Sequence, residues 1–161
     1  MDEQTIETTS GPITIRRGST EDVIDLRHAV LRAGLPRETA IFEGDDAPGA
    51  RHVVAVSAAD GRVVGCATVH PSTWDGSPAW QLRGMATDPS VRSTGIGRAM
   101  LLYLERLLMT ESEVRQLWCN ARTPARGFYE RLGWRVVSDV FEIPTAGPHV
   151  RMTKRLDHRE T

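Results

Sequence analysis

Three strand-like runs, the first two rich in β-branched residues, follow one another in the middle of this chain with no helix pattern between them. Residues 51–58 and 62–69 flank Asp60-Gly61, a dipeptide suited to a tight hairpin turn, and residues 79–87 form a third run that stops at Asp88-Pro89. Consecutive strands exclude simple strand–helix–strand alternation. They predict a mixed, mostly antiparallel sheet flanked by helices, an α/β (α+β) architecture. The neighbouring segments extend this order. Ile13 to Arg17 alternates as a first strand. Ser19 and Asp22 then make a capping-box pattern for a helix with Val23, Leu26, Val30 and Ala33 at helical spacing, stopped by Gly34 and Pro36. A second helix from Gly95 to about Met109 carries Ile96, Ala99, Met100, Tyr103, Leu104, Leu107 and Leu108 on one face, with Arg98, Glu105 and Arg106 opposite. A short strand follows at 116–120. Thr123-Pro124 caps and starts a third helix with Ala125, Phe128, Tyr129 and Leu132 inward, and Gly133 ends it. Strands at 135–143 and 149–156 close the series, giving the order β-α-β-β-β-α-β-α-β-β.

With 161 residues the chain suits one domain, expected at 12–157 between a polar, frayed segment 1–11 and a tail 158–161. Residues 37–50 are a Gly/Pro/acid-rich connection with a helical turn near Ala40 to Phe42. The charge is nearly balanced, 20 basic against 21 acidic residues without strong clustering, which argues against a nucleic-acid partner. No apolar run approaches a membrane span, and the acidic start lacks the features of a signal peptide. Cys66 and Cys119 fall inside strand-like segments and read as buried reduced thiols rather than a disulfide or metal site, so no metal and a cytoplasmic location are expected.

The stretch Arg92-Ser-Thr-Gly95-Ile-Gly97 joins a strand to an apolar helix. A glycine loop that opens a helix presents backbone N–H groups and the positive end of the helix dipole, so Arg92 to Gly97 should hold a phosphorylated ligand. Met100 stands where a dinucleotide fold needs its third glycine. No Gly-Lys-Ser/Thr follows, as a P-loop requires.

That loop, following Met85-Ala-Thr-Asp-Pro89, resembles the Gln/Arg-x-x-Gly-x-Gly/Ala signature of the GNAT acetyltransferase superfamily. Asn120, Ala125, Tyr129, Gly133 and Trp134 resemble its downstream Asn-x4-Ala-x3-Tyr-x3-Gly-Phe pattern, with Trp in place of Phe. Element order agrees over roughly residues 13–156. Leu26-Arg27-His28-Ala-Val-Leu31 and Pro148-His149-Val-Arg-Met152 look most like the small ElaA-type branch. The chain departs from the pattern at Ser93 and Thr94, where relatives often carry glycine and a basic residue, and at Thr87, often valine.

The resemblance implies an enzyme that transfers an acetyl group from acetyl-CoA to a primary amine by direct attack in a ternary complex. The alternative is a non-catalytic acyl-CoA-sensing module of the same fold. The implied cofactor contacts are Arg92, Ser93, Thr94, Gly95, Ile96, Gly97 and Arg98 at the pyrophosphate. Met85, Ala86 and Thr87 would lie along the pantetheine arm, with Asn120 and Tyr129 nearby. Gly84 suits a bulge in the pantetheine strand, and a backbone N–H of Met85 or Ala86 would polarise the thioester carbonyl. Tyr129 is the candidate general acid toward the departing thiolate. Glu43, Asp45, Asp46, His70 and His149 are candidate bases, with His149 preferred and water-relayed deprotonation left open. Trp74, Trp80 and Trp118 either line an acceptor pocket or fill the core. The acceptor, a small-molecule amine or a peptide, stays open, as does a homodimer.

Overall fold

The computed structural model describes residues 2–157. The fold is a mixed α/β structure whose nine strands form one sheet in the order β1-β2-β3-β4-β5-β6-β9-β7, with β8 also paired to β9. The strands are β1 (Gln4–Thr8), β2 (Gly11–Gly18), β3 (Arg51–Ser57), β4 (Val63–Trp74), β5 (Ser77–Thr87), β6 (Gln116–Arg122), β7 (Arg135–Val136), β8 (Phe141–Ile143) and β9 (Gly147–Arg155). The helices are α1 (Thr20–Leu31), α2 (Ile96–Glu111) and α3 (Arg126–Arg131). Every pairing is antiparallel except β5 with β6.

Side-chain alternation decides which helix covers which face. Val53, Ala55 and Ala67 point to a core built on α2, through Met100, Leu101, Leu104, Leu107 and Leu108, and on Phe128, Tyr129 and Trp134. Val54, Cys66 and Ala86 point the other way, onto Val23 and Leu26 of α1. The predicted capping box of α1 is present: Ser19 Oγ accepts from the Asp22 N–H, and the Asp22 carboxylate accepts from the Ser19 N–H. Gly65 leaves the space that Met100 fills, since a Cβ there would lie 2.8 Å from Met100 Cε.

The structure corrects several expectations. The segment expected to fray contains β1, because Ile6 packs on the core and pairs with Ile13 across a turn that Gly11 allows at φ +95°. Glu105, expected at the solvent side of α2, is buried and pairs with Lys154 of β9 at 2.9 Å. No side-chain cap from Thr123 forms; residues 123–125 make one 3-10 turn before α3. The strand expected over 135–143 splits into β7 and β8, and in the gap Ser138 Oγ accepts the Arg151 N–H at 2.8 Å. The 158–161 tail lies outside the described residues. No helix among these residues is long and apolar enough to cross a membrane.

Candidate active site

Two irregularities in β5 create the site. The first is a β-bulge: Cys66 of β4 pairs with Ala86 and Thr68 with Arg83, so Gly84 and Met85 together stand opposite Ala67. Gly84 has φ +62°, and a Cβ on it would lie 2.6 Å from Arg27 Nε and 3.0 Å from the Phe42 ring. Only glycine fits this position. The second is the short seam with β6. Parallel pairing covers only Trp80–Leu117, Gln81–Trp118 and Leu82–Cys119, after which Arg83–Thr87 and Asn120–Arg122 are no longer paired. A cavity of ≈ 240 Å³ occupies the resulting wedge. Its wall includes Gly84, Met85, Asn120, Tyr129 and His149.

At one end of β5 the chain enters the glycine loop. Gly95 caps α2 with φ +87°, and the first helical bond runs from the Ala99 N–H to the Gly95 carbonyl at 3.0 Å. The N–H groups of Ile96, Gly97 and Arg98 therefore have no acceptor within the helix. Ser93 also adopts a left-handed conformation, φ +65°, which explains why glycine would suit this place. Thr94 Oγ1 donates to the Val91 carbonyl, and Arg92 Nε reaches the Thr87 carbonyl at 3.4 Å. Arg92 and Arg98 are exposed at the two sides of the loop. The two glycines have different reasons: Gly95 supplies the backbone conformation, whereas Gly97 leaves room for Phe128, whose ring would lie 3.3 Å from an added Cβ.

Tyr129 is buried edge-on against Phe128 and Trp134. Its hydroxyl donates to Met85 Sδ at 3.5 Å, a weak acceptor that a better one in the wedge would displace. Burial, with Cys119 nearby, raises its pKa far above the ordinary phenol, so the proton stays on oxygen at any working pH. Asn120 Oδ1 accepts from Arg151 Nε at 3.2 Å. Ala86 faces α1 and contributes backbone alone. His149 Nδ1–H donates to the Gly147 carbonyl at 2.8 Å, a bond that places a proton on Nδ1. Burial pushes the thiols of Cys66 and Cys119 up to about 12.

The other base candidates do not reach the wedge. Glu43 and Asp46 are exposed on the α1–β3 connection and do not line the cavity. Asp45 is buried and fully engaged: Arg27 binds it through two nitrogens at 2.7 and 3.2 Å, His70 Nε2–H at 2.9 Å and the Phe42 N–H at 2.8 Å. The network continues through Arg27 Nη2 to Thr68 Oγ1, from Thr68 to His52 Nδ1, and from His52 Nε2–H back to the Asp45 carbonyl. Burial disfavours the Asp45 charge, but hydrogen bonds from Arg27, Phe42 and His70 and the Arg27 charge outweigh it, so its pKa lies below the usual carboxylate range. Burial, together with the charges of Arg83 and Arg27, lowers the pKa of His70 against the opposing hydrogen bond and charge of Asp45, which favours the neutral imidazole. The tryptophans lie outside the cavity wall: Trp80 fills the core and Trp74 packs on Trp118 at 5.8 Å.

Sequence reasoning missed the opposite wall, formed by Leu31, Arg32, Phe42, Arg83 and Arg122. No spacing links these residues; the fold alone assembles them. Among the described residues no cluster of three His, Cys, Asp or Glu side chains has metal-binding geometry.

Comparison with known proteins gives concordant matches. Residues 21–134 match the acetyltransferase (GNAT) family. The uncharacterized N-acetyltransferase YitI of Bacillus subtilis (strain 168) is 33% identical over 147 residues, covering 89% of this chain and 97% of its own length. The crystal structure of Escherichia coli ElaA has TM-score 0.72 at 18% identity over 89% of this chain and 99% of its own. An aminoglycoside 6'-N-acetyltransferase complexed with coenzyme A has TM-score 0.69 at 17% identity, over 91% and 99%. At such identities the structural likeness is one of fold.

Proposed function

This chain belongs to the acetyltransferase (GNAT) family and is an N-acetyltransferase; from that premise we propose that it moves the acetyl group of acetyl-CoA onto a primary amine by direct attack within a ternary complex. The observation that carries this reading is the wedge between β5 and β6, with unpaired helix N–H groups close by in sequence at the end of β5 and a protonated phenol in its wall. The residues fit coenzyme A. Free N–H groups at 96–98 and the left-handed Ser93 and Gly95 suit a pyrophosphate, with Arg92, Thr94 and Arg98 at the margins. The unpaired edge Arg83–Thr87 suits an extended amide-bearing arm, as strand addition does for peptides, with Asn120 facing it.

In this scheme the backbone N–H of Met85 at the bulge meets the thioester oxygen, where negative charge develops, while the Ala86 N–H is turned to Cys66 of β4. The neutral amine forms the C–N bond as the C–S bond breaks. The proton shed by the amine goes to His149 Nε2, and the departing thiolate takes the Tyr129 proton, which the phenolate regains at once from the imidazolium through solvent, restoring both groups. An acyl-cysteine route is disfavoured, because thiols with pKa values of about 12 hold almost no thiolate at neutral pH.

Thermal-shift titration with acetyl-CoA, beside CoA, ATP and NAD, tests the cofactor. Stabilisation of ~2.7 kcal/mol is expected at one hundred times the dissociation constant, and no shift at millimolar acetyl-CoA would overturn the reading. Thiol release with an amine panel tests catalysis. Tyr129→Phe should keep the acetyl-CoA shift and lose ~100-fold or more in kcat; unchanged turnover would remove the acid role.

A further inference from the structure

The wall of the wedge that faces α1 is crowded with cations from distant parts of the chain. Arg32 follows the last residue of α1, Arg83 lies in β5 before the bulge, and Arg122 ends β6. Arg32 Nη1 and Arg122 Nη2 donate to the same carbonyl, that of Leu31, at 3.1 and 3.3 Å. The guanidinium carbons of Arg27, Arg83 and Arg32 lie 4.0, 4.4 and 5.3 Å from the centre of the Phe42 ring. Four guanidiniums thus converge on a few side chains. One carboxylate, Asp45, is among them, and Arg27 and His70 already occupy it.

Arg32, Arg83 and Arg122 line the cavity, and none forms an ion pair among the described residues. Burial, then the charges of Arg122, Arg83 and Arg27, pull the Arg32 pKa below its ordinary value, although a guanidinium remains charged at any working pH. Stacking on Phe42 satisfies the faces of Arg32 and Arg83 but leaves N–H edges free for an acceptor. Partly buried like charges that share one already engaged carboxylate, Asp45, destabilise the free protein. A ligand that brings the missing negative charge relieves the repulsion and gains charge-assisted, fork-shaped hydrogen bonds.

Resting on the acetyl-transfer reading, we propose that the acceptor is a small amine that also carries an anionic group, a carboxylate or a phosphate. Arg32, Arg83 and Arg122 bind that group and direct the amine toward His149 and the bulge. Polycationic amines meet like charge at the same wall and are poor acceptors.

The test uses matched pairs: L-phenylalanine with phenethylamine, L-leucine with isoamylamine, and phosphoethanolamine with ethanolamine, beside spermidine and kanamycin. Higher kcat/KM for the anionic member of a pair is expected, and whether the carboxylate or the phosphate arm responds identifies the group. Arg32→Gln, Arg83→Gln and Arg122→Gln should each raise KM for that acceptor by roughly tenfold to hundredfold, as loss of a charged hydrogen bond does. For Arg32→Gln and Arg122→Gln the KM for acetyl-CoA should stay unchanged, and their retained thermal shift shows that these variants fold. Arg32→Glu should move preference toward cationic amines. Equal or better use of the uncharged or polycationic amines, or arginine variants that weaken acetyl-CoA instead, would overturn the proposal while leaving acetyl transfer intact. If no amine turns over, thermal shifts of the acetyl-CoA-saturated enzyme decide: no selective stabilisation by the anionic members overturns it. Failure of the acetyl-CoA shift itself fells both readings.

Discussion

Asp45 was a candidate base in the sequence and is a keystone in the fold. Its carboxylate holds Arg27 and His70, and Arg27 in turn packs under Phe42 and beneath the β5 bulge. Asp45→Asn leaves the Arg27 guanidinium buried without its counter-charge. Breaking such a pair costs about 3–5 kcal/mol, a loss that urea denaturation at neutral pH would measure. The sign with pH follows from the depressed pKa. The folded state binds the Asp45 proton more weakly than the unfolded state, so the contribution is complete above the unfolded value of about 3.8 and vanishes as pH falls through the lower folded value. Stability of Asp45→Asn should therefore fall less steeply than wild type below about pH 4; parallel acid limbs would show that Asp45 is not the responsible group. Nothing in Glu43-Gly-Asp45-Asp46 distinguishes the buried carboxylate from its exposed neighbours, because its side-chain partners come from α1 and β4.

Among the elements, β5 and the loop after it build most of the candidate site, and their glycines separate by physical cause. Gly95 needs only its left-handed backbone, since an added Cβ would touch nothing within 4 Å. Gly84 needs both the conformation and the space. Gly95→Ala should cost about 1–2 kcal/mol, the usual left-handed penalty. Gly84→Ala should cost more and shift Arg27 and Phe42, and melting temperatures of the two variants would rank them. A smaller loss at Gly84 would mean that the bulge is loose. This part of the site was legible in sequence: glycine spacing, the helix it opens and the strand before it are local signals. The Tyr129 face was equally readable from its helical period. The arginine wall was not, because Arg32, Arg83 and Arg122 look like ordinary surface charge until the ends of α1 and β6 meet. The mispositioned boundaries share one cause. Pairing with β2 orders β1, and Lys154 draws Glu105 inward, so tertiary partners override local polarity.

At the scale of the molecule, the run of three middle strands correctly announced the sheet. The parallel seam between β5 and β6 follows from α2 connecting them, a crossover that antiparallel neighbours would not need. Only three residue pairs close that seam, and they join five strands on one side to four on the other. With acetyl-CoA in the wedge as proposed, the pantetheine is in effect the strand the sheet lacks. Amide exchange should slow most at 83–87 and 120–122 when acetyl-CoA is added; protection spread evenly over the sheet would speak against this placement. A protein completed by its co-substrate has a lifetime tied to supply. Where open forms are cleared by proteases, its abundance would rise and fall with the acyl-CoA pool, making its turnover a gauge of metabolic state as well as a property of its sequence.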